Sequence, residues 1–404
     1  MKPKDLTEVQ WPTLKRVRQI ECENTRPKGA VPTAPLPMIG CIFRQLPLRF
    51  ALMLILSWTF YTAAAGACML CFRYPQTSLA DNLLQSKAVI MARERSDKAY
   101  TFYAVEVLKG AADGTDFNTL VNSTARRMLK QNAGDVVLFR REHAESDWQY
   151  VAYADVESQK FIRAIFENAK RWKQDKSNQL RVNFFAEYLD HNHRLISEQA
   201  YIEVGRAPYA LIKRIADTIE RQRIYEFLTN WQFIEWHNFY ILILGQSRHL
   251  DDHAYIRRNL ESAAAHGIEK NLSAWVAAFI ETNPVTGIEE IEELYFSRGD
   301  RTPGELQEVF KGLSVLGAEG GLRAAPELIY RQHRIVHSYG TLLEHYPLMA
   351  GQVAKDLMLW KMRALTGQLT QIKETEAALD LGSKMTITHY LSISKSFPCV
   401  ESFK

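Results

Sequence analysis

Residues 86–110 read SKAVIMARERSDKAYTFYAVEVLKG, and the fold turns on them. Ala88–Arg93 and Ala99–Leu108 are short runs rich in β-branched and aromatic residues, the pattern of two strands. Lys109-Gly110 closes the second run, and Asp113-Gly114 marks a turn. Toward the C-terminus, Phe117–Val121 is a third candidate strand. Asp135–Arg140 (DVVLFR) and Trp148–Ala152 (WQYVA) are a fourth and a fifth. Five short strands in about 70 residues predict a small closed or half-closed barrel.

From Val156 onward the apolar period becomes helical. Phe161, Ile162, Ile165, Phe166 and Ala169 form one stripe, and Val182, Phe184, Phe185, Tyr188 and Leu189 another. Thr302-Pro303-Gly304-Glu305 offers a cap, a proline in the first turn and a capping-box glutamate, and Thr286-Gly287-Ile288-Glu289 repeats the box. Pro208, Pro284, Pro326 and Pro347 fall at first turns, and Gly245, Gly267, Gly299 and Gly317 near helix ends. These marks predict helical hairpins of about 35–40 residues. A compact helical bundle is the competing reading.

Upstream of the strands the chain changes character. Phe50–Ala67 (FALMLILSWTFYTAAAGA) is a strongly apolar run preceded by Arg44 and Arg49, and Ala65-Gly66-Ala67 fits a cleavage site before Cys68. That is the order of a secretory signal, with a retained membrane anchor as the alternative. Residues 1–37 then form a leader that is rich in Pro, Lys and Arg, and Met38 offers a later start. Residues 38–67 are the signal or anchor, and the mature chain is expected to begin near Cys68.

Charge agrees with this division. Removing the nine basic and four acidic side chains of residues 1–67 from totals of 50 and 46 leaves 41 and 42, a net of −1. A near-neutral chain lacks the field that nucleic-acid binding needs. The mature part keeps Cys68, Cys71 and Cys399. Either Cys68 pairs with Cys71 as a structural disulfide, or a lipid on Cys68 leaves Cys71 to find Cys399.

The segments SKAVIMARE, YTFYAVEVLKG and GDVVLFRR, after a cysteine pair and a polar spacer, resemble the bacterial domains akin to tissue inhibitors of metalloproteases and netrin modules. The resemblance covers 68–155 and implies an OB-like barrel. In inhibitors of that family the N-terminal cysteine chelates the catalytic zinc of a protease, and Cys68 would hold that position. This chain has C-x-x-C where those inhibitors have C-x-C. Residues 182–215, 237–262 and 306–320 resemble divergent HEAT-type repeats. The fold expected is therefore a multidomain α and β chain. A small OB-like β-barrel (68–155) is followed by an all-α helical-hairpin array, a HEAT-like solenoid (156–375), and a C-terminal tail (376–404).

Candidate chemistry is thin. His333/His337 and His249/His253 have the i, i+4 spacing of zinc proteases but lack the glutamate beside the first histidine. Asp190-His191-Asn192-His193 falls at a helix–helix turn, where polar residues are expected. Tyr225, Phe227, Trp231, Phe233, Trp236, Phe239 and Tyr240 read as core, with Trp231, Trp236 and Tyr240 as candidates for a partner-binding face. Arg221, Arg223, Arg257 and Arg258 read as solvated faces. The reading is a non-catalytic, exported, periplasmic or envelope interaction protein. It takes a protein or peptide partner and no cofactor, metal or nucleic acid. It meets a membrane only through its N-terminal segment or a lipid on Cys68. The alternatives are a metalloprotease inhibitor acting through Cys68, and an envelope enzyme using the helix-borne histidines.

Overall fold

The computed structural model describes residue 70 and residues 77–398, apart from 113, 115 and 322. The leader, the run Phe50–Ala67 and the cysteines Cys68, Cys71 and Cys399 lie outside the described residues. Among those described, no helix is long and apolar enough to cross a membrane.

Helix α1 (Leu79–Gln85) opens the described chain, its first turn capped by the Ser78 hydroxyl. All five expected strands form: β1 (Ala88–Glu94), β2 (Thr101–Lys109), β3 (Phe117–Asn118), β4 (Val136–Arg141) and β5 (Gln149–Ala154). They make one antiparallel half-barrel sheet in the order β3-β2-β1-β4-β5. Central β1 pairs Ile90 with Val107 on one side and with Phe139 on the other. Gly110 ends β2 at φ +72°, and a Cβ there would lie 2.5 Å from the Lys87 carbonyl oxygen, so the Lys-Gly signal marks a real constraint. The third strand is only two residues long, and the chain between it and β4 forms a helix, α2 (Ser123–Gln131), that the pattern did not announce.

Alternation along the strands sends residues to two cores. Ile90, Ala92, Phe102, Val137, Phe139 and Trp148 pack with Ala125 and Leu129 of α2. Val89, Met91, Val136 and Leu138 face the other way, against Leu79 and Leu83 of α1 and Ile162 of α3 (Val156–Gln174).

The helices continue with α4 (Gln179–Ala186), α5 (Arg194–Gly205), α6 (Tyr209–Ile215), α7 (Arg221–Thr229), α8 (His237–Leu244), α9 (Leu250–His266) and α10 (Leu272–Thr282). They end with α11 (Gly287–Ile291), α12 (Pro303–Gly317), α13 (Pro326–His345), α14 (Ala350–Leu359), α15 (Thr366–Thr375) and α16 (Leu381–Ile393). Helix α16 lies within the span expected as a tail; it packs on α14 and fully buries Tyr390.

Helix α10 is buried without interruption from Leu272 to Ile280. It packs against α8 on one side and α12 on the other. Small residues make this possible: a Cβ on Gly312 would lie 2.7 Å from the Ser273 carbonyl, and one on Gly245 2.8 Å from the Ala278 Cα.

The Thr302 capping box forms as expected. The one expected at Thr286 does not. Thr286 has helical backbone angles and makes no side-chain cap, its hydroxyl donating to Glu290 Oε1 at 2.9 Å.

A four-charge clasp ties α1 to the helices. Arg181 of α4 bonds both Glu203 and Asp81 at 2.7 Å, Arg206 bonds the same two acids, and the buried Ser78 hydroxyl donates to Glu203. Such a pairing satisfies buried charges that would be costly alone. Burial pushes the Asp81 carboxyl up, but the two guanidiniums outweigh it and hold it at about 2.

Candidate functional site

The aromatic run divides between core and surface. Helix α7 carries Tyr225 and Phe227, a 3₁₀ segment (Trp231–Trp236) follows, and α8 carries Phe239 and Tyr240. Four rings stack in sequence. Tyr201 lies 4.4 Å from Trp236 at 6°, Trp236 lies 5.8 Å from Phe227 at 17°, and Phe227 lies 4.3 Å from Tyr240 at 11°. Trp236 and Tyr240 are thus brought into one column, Tyr240 fully buried and Trp236 partly so.

Trp231 is not part of that column. It is 77% exposed, with Ile234 three residues on at 40%. Phe233 between them leaves the helical angles (φ −102°, ψ 18°), so the two exposed side chains lie on either side of a kink in the segment.

Cys68, the fourth candidate, lies outside the described residues, but the chain two residues later does not. Leu70 is buried in the helical core, and its carbonyl accepts from Asn238 Nδ2 of α8 at 2.5 Å.

Two cavities flank the turn between α6 and α7. One, of about 380 Å³, is lined by Arg221, Ser247, Arg248, His249 and the buried Asp252. Asp252 takes Arg221 Nε at 2.9 Å, the Tyr225 hydroxyl at 2.6 Å and the Ser247 hydroxyl at 2.5 Å. Burial raises this carboxyl, and these donors outweigh burial and hold it at about 2. The second cavity, of about 400 Å³, has Leu189, Ile215 and Ile219 in its walls, Asp190 and Arg214 at its rim and Tyr240 in its floor.

Three of the four arginines keep 39–44% of their side chains in solvent, as expected of solvated faces, and also hold an acidic partner. Arg221 pairs with Asp252, Arg223 with Asp190 at 2.8 Å and Arg257 with Glu290 at 2.7 Å. Each partner is about thirty residues away, beyond any helical period.

One arrangement of catalytic residue types went unnoticed in the sequence. Asp155 and Ser158, at the start of α3, both approach His193, before α5. Asp155 Oδ2 lies 3.0 Å and Ser158 Oγ 3.5 Å from the same atom, Nε2. A serine–histidine relay needs acid and hydroxyl on opposite ring nitrogens. Asp155 also accepts from the Ser158 backbone N–H at 2.8 Å, so the group is a helix cap bridged to α5.

The histidine pairs are equally ordinary. His253 Nε2 lies 2.7 Å from the Ser247 carbonyl, and burial lowers the His333 imidazole. Among the described residues, no three metal-ligating side chains gather. The chain matches no protein-family model, no curated protein and no solved structure.

Proposed function

We propose that this is a non-catalytic interaction protein of an exported compartment, which engages a protein or peptide partner through the surface around Trp231. The observation that carries the reading is the exposure of Trp231, with Ile234 also exposed three residues on, in a segment whose far end is held by the stacked Trp236. Tryptophan is among the residue types most enriched at interface hot spots. The exported setting rests on the run Phe50–Ala67. Expression of Trp231→Ala in the native host, followed by mild cross-linking and recovery from the envelope fraction, tests the reading. The expected result is loss of a partner that the wild type retains, with an unchanged melting temperature. Equal recovery by both forms would refute it.

We propose, too, that the sheet is an OB-like module and the helices a HEAT-like array. A five-stranded, partly open antiparallel sheet is in keeping with an OB-like module. Thr119 Oγ1 approaches the Trp148 carbonyl at 3.4 Å, which links the two open edges of the sheet through a side chain. The side-by-side packing of α8, α10 and α12, with α7 and α9 beside their chain neighbours, supports stacked hairpins of the HEAT type.

Metalloprotease regulation through Cys68 is the second reading, favoured by the seating of Leu70. A chelating N-terminus must be held in place, and a buried residue two positions on supplies a fixed point. Adding one residue before a mature Cys68 is expected to abolish inhibition. Equal potency of the extended form excludes this reading.

A further inference from the structure

Strand β2 has a partner along its outer side only at its start. Thr101 and Phe102 pair with Asn118 and Phe117 of β3, and β3 extends no further. From Tyr103 to Lys109 the strand is an edge of the sheet, with β1 on its inner side. Alternate residues of an antiparallel strand turn their N–H and C=O away from the neighbour. Along this stretch, among the described residues, no backbone group meets them from outside. Val105 and Val107 are each 46% exposed here.

The two ends of this edge differ in charge. Near Thr101 the cations are matched, Arg95 by Asp116 at 2.9 Å and Arg126 by Glu94 at 2.6 Å. Near Lys109 they are not. Lys87, whose carbonyl lies against Gly110, is exposed, as is Lys173 at the end of α3. Lys109 Nζ donates to the Leu84 carbonyl, and none of the three lysines is paired with a carboxylate among the described residues. Partial burial, and then the like charges of Lys87 and Lys173, lower the Lys109 ammonium.

These features select an occupant. Unpaired edge groups are completed by an extended chain, whose alternate side chains give specificity. Register shifts against β1 skip Val105 and Leu108, and such bulges twist an edge, which suits a short peptide better than a long flat strand. A second copy of β2 brings no unpaired acid to the lysines, because its Glu106 is held by Arg163 at 2.8 Å. We propose that the outer edge of β2, from Tyr103 to Lys109, takes up a short extended peptide by strand addition, with apolar side chains beside Val105 and Val107 and acidic residues at the end that meets Lys109. The site rests on the sheet alone and not on the Trp231 surface.

The acetylated and amidated peptide Asp-Asp-Val-Thr-Val-Thr-Val is a suitable probe. Paired antiparallel, as all strands of this sheet are, it brings its acids to Lys109. Calorimetric titration of the purified full chain is expected to show saturable binding, and hydrogen exchange to show added protection within Tyr103–Lys109. Exchanging the two acids of the peptide for lysines should weaken binding about tenfold, and so should the double variant Lys87→Glu, Lys173→Glu. Methylating the peptide nitrogens at one alternate set of residues should abolish binding, and at the other set should spare it, because only one set faces β2. The proposal is overturned by an absence of saturable binding, by equal affinity for the acidic and the lysine peptides, by equal affinity for the two methylated sets, or by protection confined to other elements. Protection of this edge in the peptide-free protein overturns it too. Protection that grows with protein concentration assigns the edge to a second copy, and protection lost on deletion of residues 1–67 assigns it to that segment.

Discussion

Asp356 of α14 is a carboxyl almost without water. It is 4% exposed and accepts from the Tyr339 hydroxyl of α13 at 2.8 Å. Burial pushes it up from 3.8 to about 6. A raised carboxyl holds its proton better in the folded chain than in the unfolded one. Its favourable contribution is therefore complete below pH 3.8 and is lost as the pH rises through about 6. Asp81 behaves in the opposite sense. Held at about 2, it contributes above 3.8 and loses that contribution as the pH falls through about 2. The windows do not overlap, so each is separately observable. Asp356→Asn keeps an acceptor for Tyr339 without the charge. At pH 7 it is expected to stabilise the protein by up to about 3 kcal/mol, at 1.36 per pKa unit, and to flatten the profile between pH 4 and 6. Urea midpoints over that range check it; parallel profiles for variant and wild type would show that the carboxyl is not perturbed. None of this was legible in the sequence. Whether an acid meets an arginine, as Asp252 meets Arg221, or a phenol, as Asp356 meets Tyr339, depends on which helices become neighbours.

Elements were more legible than partners, because their signals are local. The strands showed through alternation and the capping box at Thr302 through four consecutive residues. Helix α2 stayed hidden because only Ala125 and Leu129 of it are buried, one i, i+4 pair and too little for a stripe. Thr286 failed as a cap because a box also needs an extended residue at the cap position, which composition does not reveal. Two substitutions test the elements as built. Thr302→Ala should cost about 1 kcal/mol, the usual effect of losing a side-chain cap. Gly312→Ala sets two effects against each other. In an open helix, alanine gains about 1 kcal/mol over glycine. Here the added methyl meets the Ser273 carbonyl of α10, a backbone atom that cannot turn aside, and overpacking costs about 1–3 kcal/mol. A net loss in the urea midpoint is therefore expected. A net gain would mean that α10 and α12 do not touch at this point.

At the scale of the molecule, the sequence placed a boundary between Asp155 and Val156, where the strand pattern gives way to the helical one. The core does not stop there. Ile162 of α3 packs among Val89, Met91, Val136 and Leu138 of the sheet. Arg163, its neighbour, bonds Glu106 of β2 with Nη2 at 2.8 Å. The clasp of Asp81, Arg181, Glu203 and Arg206 fastens α1 to the same group of helices. A periodicity change records where the local structure switches, not where packing ends, which is why the shared core was invisible in the sequence. Its consequence is mechanical: the sheet's outward face is apolar and needs α3 to cover it. Ile162→Ala should lower the stability of the whole chain by about 2–4 kcal/mol, as for other deletions of buried branched side chains. Hydrogen exchange then locates the loss. If the sheet and helices form one cooperative unit, amides of β1 and of α8 lose protection by the same factor. Loss confined to β1 would instead mean that the strands open alone, and that the boundary at residue 155 is a true division of the fold.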